Sequence, residues 1–133
     1  MRGVKTDMKI NESAENYLEA ILIIKNKKGY VRSIDVANEL NFTKPSVSVA
    51  MKHFREEGFI TVDSDGLISL TDKGRLIAEG VYERHQIIAK ALILLGVDEE
   101  NAYNDSCKIE HDISDVTFEK LKEFIIKHDK QPL

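Results

Sequence analysis

The stretch from Val31 to Leu70 constrains the fold more than any other part of the chain. It opens with Ser33-Ile34-Asp35-Val36-Ala37-Asn38-Glu39-Leu40, in which Ser33 is expected to cap a short helix. Ile34, Ala37 and Leu40 then share one face of that helix. After a break at Asn41-Phe42, Thr43 is placed to cap a second helix. Pro45 falls in the first turn of that helix, where a missing N–H costs nothing. Val47, Met51 and Phe54 follow at spacings of i, i+4 and i+7, and Gly58 supplies a left-handed stop. The other face carries Lys44, Ser46, Ser48, Val49, Lys52 and His53 and is short, polar and cationic apart from Val49. Two short helices around a tight turn form a helix-turn-helix, whose second helix enters a DNA groove.

Two β-rich runs come next, Phe59-Ile60-Thr61-Val62 and Leu67-Ile68-Ser69-Leu70, around a turn ending in Asp65-Gly66. Such a pattern reads as a hairpin, and behind a helix-turn-helix it is a wing. The alternative is a generic α+β core that reads nothing.

Charge bears directly on a nucleic-acid reader, and the net charge of −4 is the wrong sign for one. The charge is unevenly spread. Residues 1–80 balance 12 basic against 12 acidic side chains, whereas residues 81–133 carry 7 against 11. A neutral reading half binds phosphates through a local patch, with modest non-specific affinity. The acidic remainder suits a cation-binding lobe and equally suits any solvated helical lobe.

Around this centre the chain reads as helical. A first helix is expected from near Ser13 to about Lys25, with Tyr17, Leu18, Ile21, Leu22 and Ile24 apolar and Glu15, Asn16 and Glu19 polar. Thr71-Asp72-Lys73-Gly74 opens a long helix to about Leu95, about 24 residues and so about 36 Å. A third segment runs from Tyr103 to about Ile113. A last helix covers Ser114 to about Lys127, with Val116, Leu121, Phe124 and Ile125 apolar, and the tail Asp129–Leu133 is expected to fray. The fold class is mainly α with a small β wing: a winged helix-turn-helix domain over 1–74 and a helical dimerisation domain over 75–133. The second domain is too small to bury its apolar faces alone, so a homodimer is expected. Met1 to Met8 holds no signal-peptide core and no apolar run reaches membrane-spanning length, which places the chain in the cytoplasm.

One constellation carries metal chemistry. Cys107, Glu110 and His111 stand at i, i+3 and i+4, which on a helix brings a thiol, a carboxylate and an imidazole side by side. A mixed soft and hard set suits a divalent transition metal better than calcium or magnesium. His85 and Glu19 are candidates for the remaining ligands. Singly, each has a plainer role: a surface histidine, a packed cysteine or a solvated glutamate.

Six stretches give the chain a resemblance to a known family. They are Tyr17-Leu18-Glu19-Ala20-Ile21, Ile34-Asp35-Val36-Ala37, Pro45-Ser46-Val47-Ser48, Leu70-Thr71-Asp72-Lys73-Gly74, Arg84-His85, and Asn104-Asp105-Ser106-Cys107-Lys108-Ile109-Glu110-His111. The chain resembles the diphtheria-toxin-repressor family of metal-dependent transcriptional regulators. Within it, the chain is most similar to the short manganese-transport-regulator branch, which has no SH3-like domain. The resemblance implies a metal-activated homodimeric repressor of manganese or iron homeostasis, binding Mn2+ or Fe2+ and a pseudo-palindromic double-stranded DNA operator. The implied ligands are Glu19, His85, Cys107, Glu110 and His111. Asn16 falls where the manganese branch has an aspartate, and Cys107 where that branch usually has a glutamate and the iron branch a cysteine. Ala89 and Tyr103 replace ancillary ligands of the iron branch. Lys44, Pro45, Ser46, Ser48, Val49 and Lys52 are the expected DNA contacts.

Two other functions fit parts of the sequence. A winged-helix regulator sensing redox state through Cys107, or an organic ligand, keeps the DNA reading and drops the metal. A cysteine hydrolase built on Cys107 and His111 finds no evident oxyanion donor, so the chain is read as no enzyme.

Overall fold

The computed structural model describes residues 12–128, so the expectations for Met1 to Met8 and for the tail lie outside the described residues. The elements are α1 (Glu12–Lys28), α2 (Ser33–Leu40), α3 (Lys44–Glu56), β1 (Ile60–Val62), β2 (Ile68–Leu70), α4 (Asp72–Leu94), α5 (Glu99–Ile109) and α6 (Asp115–His128). A mainly helical chain with one two-stranded sheet is the class the sequence indicated. The chain divides into two compact units, one ending at Glu79 and the other beginning at Gly80.

The first unit is a winged helix. Leu18, Ile21 and Ile24 of α1 are buried with Val36 of α2 and with Val47, Met51 and Phe54 of α3. Tyr17 meets Phe42 and Phe54 edge-on at centroid distances of 5.5 and 5.6 Å. Such aromatic pairs add to the area they bury. The start of α2 departs from expectation. Arg32, not Ser33, is the cap residue, and its N–H donates to Asp35 Oδ2 at 2.9 Å. Asp35 thus caps the helix from inside the first turn, and Lys28 Nζ grips its other oxygen at 2.7 Å. The face of α2 is also rotated from the expected one, since Val36 is buried and Ile34 is exposed.

Asn41 ends α2 at φ 57°, a left-handed position that asparagine tolerates better than most residues. Thr43 caps α3 as expected, its Oγ1 accepting from Ser46 N–H at 3.3 Å. The wing pairs Ile60 with Leu70 and Val62 with Ile68 in antiparallel register. Its turn is held by Asp63 Oδ1, which accepts from the N–H groups of Asp65 and Leu67 at 2.9 Å each. Thr71 caps α4 by accepting from Gly74 N–H at 3.1 Å, while its hydroxyl donates to the Gly58 carbonyl at 2.7 Å.

The second unit is helical. Ile87 of α4 packs with Phe118 and Ile125 of α6, and Ala91, Ile113 and Leu121 close around them. Lys122 on α6 bridges to Glu83 on α4 at 2.9 Å. The apolar residues expected on α6 divide: Ile125 is buried, whereas Val116 and Phe124 face outward. The third segment begins earlier than expected, at Glu99, because Asp98 caps it by accepting from Asn101 N–H at 3.1 Å.

Two outcomes follow for the first unit. A Cβ at Gly74 would collide with the backbone carbonyl of Phe59, which has no flexible end to move aside. Gly74→Ala should therefore cost about 1–3 kcal/mol, the usual scale of overpacking, and show as a lower thermal midpoint. The Lys28 ammonium and the Arg32 N–H hold Asp35 below the usual carboxylate range, and Asp35 in turn raises Lys28. The depressed Asp35 contributes stability that is present above its unfolded value and lost as pH falls through the folded one. The raised Lys28 contributes below its unfolded value and loses that contribution as pH rises through the folded one. Amide exchange across α2, measured against intrinsic rates, should stay slow at mid-range pH and speed up in acid below about pH 4. Asp35→Asn should make that exchange fast and flatten its pH dependence.

Candidate metal centre and DNA-reading face

The second unit gathers most of the predicted ligands. α5 stops at Ile109, and Glu110 is its C-cap, with its N–H donating to the Ser106 carbonyl at 2.9 Å. A tight turn follows, Asp112 N–H donating to the Ile109 carbonyl at 2.9 Å, before Ser114 caps α6. The expected continuous helix through Cys107, Glu110 and His111 therefore does not form. Only Cys107 is helical, while Glu110 and His111 occupy the α5–α6 turn.

That turn buries its polar groups. Glu110 is 1% exposed, and His111 Nε2 lies 3.4 Å from its Oε1. His85 on α4 brings a ring nitrogen within 4.8 Å of a Glu110 carboxylate oxygen. The Nε2 of His85 lies 3.1 Å from the Tyr103 carbonyl. A carbonyl can only accept, so Nε2 carries the proton and Nδ1 keeps the lone pair. Metal-binding histidines are oriented in this way by an outer hydrogen bond. Cys107 is half-buried on the last turn of α5, and its sulfur is not among the ligand atoms drawn this close.

A buried carboxylate beside two imidazoles is a donor set that fits a divalent transition metal. Its mix of oxygen and nitrogen suits manganese, iron or zinc. Three contributors escaped the sequence reading: the Tyr103 carbonyl, Ser106, whose hydroxyl donates to that carbonyl at 3.0 Å, and Arg84. Backbone acceptors leave no trace in residue type. The dipeptide Arg84-His85 was visible, but its arginine had no partner until α5 and α6 were in place.

The first unit holds the other two predicted ligands. On α1, Glu19 is buried and Asn16 half-buried. Glu15, one turn before Glu19, is buried as well, where the sequence suggested a polar residue like its neighbours. Two buried carboxylates on one helical face are costly to desolvate unless they are partnered.

On α3 the residues expected to meet DNA, Lys44, Pro45, Ser46, Ser48, Val49 and Lys52, are all exposed, opposite Val47, Met51 and Phe54. Val49 is 57% exposed, an apolar side chain on an otherwise polar reading face. Ile34, displaced outward by the rotation of α2, lines a shallow pocket there with Ser33, Lys44 and Ser48.

A winged helix with an outward reading helix, joined in one chain to a helical unit bearing buried metal-type donors, defines a metal-dependent DNA-binding regulator. Known proteins carry the same pairing. Residues 9–66 match the family model described as iron dependent repressor, N-terminal DNA binding domain, and residues 71–132 match iron dependent repressor, metal binding and dimerisation domain. The chain is 35% identical over 102 residues to the HTH-type transcriptional regulator MntR of Geobacillus kaustophilus, covering 77% of this chain and 72% of that one. To MntR of Lysinibacillus sphaericus it is 28% identical over 120 residues, covering 90% and 86%. The solved structure of the manganese regulator SloR superposes with a TM-score of 0.73 at 26% identity, over 90% of this chain and 55% of that one. The chain belongs to the iron-dependent, or diphtheria-toxin, repressor family of metal-dependent transcriptional repressors. Among the described residues no helix is long and apolar enough to cross a membrane.

Proposed function

We propose that this protein is a homodimeric repressor of manganese or iron homeostasis, activated by Mn2+ or Fe2+ and reading a pseudo-palindromic operator. The observation that carries the reading is the buried Glu110 carboxylate, with a His85 ring nitrogen within 4.8 Å of it and His111 Nε2 at 3.4 Å. The proposed ligands are Glu19, His85, Cys107, Glu110 and His111, with Asn16 offering an amide oxygen. When bound, the ion would supply positive charge to the buried Glu110 carboxylate.

The residues explain how ligation acts on DNA binding. His85, Glu110 and His111 belong to the helical unit, whereas Glu19 and Asn16 belong to the winged unit. A ligand set drawn from both restricts their relative motion and selects arrangements in which two reading helices enter successive major grooves. Lys44 and Lys52 are assigned to phosphates, Ser46 and Ser48 to phosphates or base edges, and Pro45 and Val49 to thymine methyl groups. The domain boundary proposed from sequence, at 74/75, assigns the start of α4 to the helical domain. A second reading is thiol sensing through Cys107, whose half-buried thiol stands on the last turn of α5.

Operator binding titrated with metal tests the main reading. Glu110→Gln and His111→Ala should each weaken metal-dependent binding by at least about a hundredfold, while sedimentation still shows a folded dimer. Metal-activated binding at the normal level by His111→Ala would remove the proposed site.

Cobalt spectroscopy separates the two readings. A wild-type cobalt complex should show a thiolate charge-transfer band that disappears in Cys107→Glu. That substitution should cost iron, cobalt and zinc more affinity than manganese, since it exchanges the soft ligand for a hard one of equal charge. A wild-type complex without the sulfur band would take Cys107 out of the ligand set and leave it to the thiol-sensing reading.

A further inference from the structure

Arg84 is the buried cation among the described residues, at 5% exposure, and nothing in its local sequence context points to a role. Its Nε and Nη2 donate to the Glu110 carbonyl at 3.2 and 3.0 Å, and Nη2 also donates to the Ile113 carbonyl at 3.0 Å. Its Nη1 donates to Asp115 Oδ1 at 3.4 Å, and its guanidinium carbon lies 4.7 Å from the centre of the Phe118 ring. All these partners lie in the second unit. The Glu110 carbonyl stands at the end of α5, where a helix leaves its last acceptors without partners, and the Ile113 carbonyl lies just before α6. One guanidinium thus ties both ends of the turn that presents Glu110 and His111. Its own backbone is the residue before His85.

We infer that Arg84 is a positioning residue for metal ligation, holding the Glu110–His111 turn in register with His85 before an ion arrives. The inference rests on the metal-binding reading above. The chemistry requires arginine. The planar fork serves two carbonyls and a carboxylate at once from a fixed direction, whereas a lysine ammonium is a compact point charge on a flexible stem. Ligands ordered in advance keep the ordering cost out of the binding step.

The test uses the full chain, stripped of metal, with cobalt(II) as the probe. Arg84→Lys keeps the charge and should speed amide exchange at residues 110–113, weaken cobalt binding by about ten- to a hundredfold and alter the ligand-field spectrum. Ile125→Ala, in the same core and away from the ligands, should lower thermal stability yet keep cobalt affinity and spectrum within about twofold, as expected of a distant independent site. Wild-type cobalt affinity and spectrum in Arg84→Lys would overturn the inference. So would an equal loss in Ile125→Ala, because simple destabilisation would then explain both. If Arg84→Lys does not fold, Asp115→Asn loosens one anchor of the guanidinium and should weaken cobalt by about tenfold. Unchanged affinity there would count against the inference as directly. A wild-type chain that takes up no cobalt would fail differently, bringing down the metal reading itself and this inference with it.

Discussion

Burial of the Glu110 carboxylate is the constraint on which the second unit depends. A carboxylate 1% exposed loses nearly all its hydration, a cost of several kcal/mol that only charge or hydrogen bonding can offset. The fold places the means nearby: His111 at 3.4 Å from one oxygen, His85 within 4.8 Å, and a turn whose backbone is gripped by Arg84. A divalent ion would satisfy carboxylate and imidazoles together, which is the reading proposed for this cluster.

The winged unit solves a different problem, that of presenting a short polar helix at a defined angle. Its devices are local. Asp35 caps α2 from within, Asn41 turns the chain through a left-handed position, and Thr43 starts α3. Gly74 lets the start of α4 lie against the Phe59 carbonyl, and Thr71 N–H donates to that same carbonyl at 3.0 Å. The polar face of α3 stays in solvent because its opposite face supplies Val47, Met51 and Phe54 to the core. Balanced charge over residues 1–80 leaves binding to depend on where Lys44 and Lys52 sit, more than on the overall field.

The helical unit leaves apolar side chains outside. Leu94, Leu95, Val116, Phe124 and Ile126 are all at least half exposed in the single chain. A small unit cannot cover this much apolar surface by itself. The family model over residues 71–132 describes a dimerisation domain, and these side chains have the character that self-association requires.

Local rules determined much of this protein. Helix periodicity, the Thr43 and Thr71 caps, the Gly58 stop and the Asp-Gly turn act over a few residues, so each element was legible, and with the elements came the winged-helix class. Candidate donors were legible too, because few residue types bind transition metals. Tertiary structure decided what depends on distant partners. It rotated α2 so that Val36 went inward and Ile34 outward, since the aromatic and aliphatic side chains of α1 and α3 set which face fits. It ended α5 at Ile109, moving Glu110 and His111 from a helix face into a turn, because Arg84, 26 residues away, captures the terminal carbonyl. Spacing along a chain cannot reveal an acceptor that is a backbone oxygen, nor a donor that arrives from another helix.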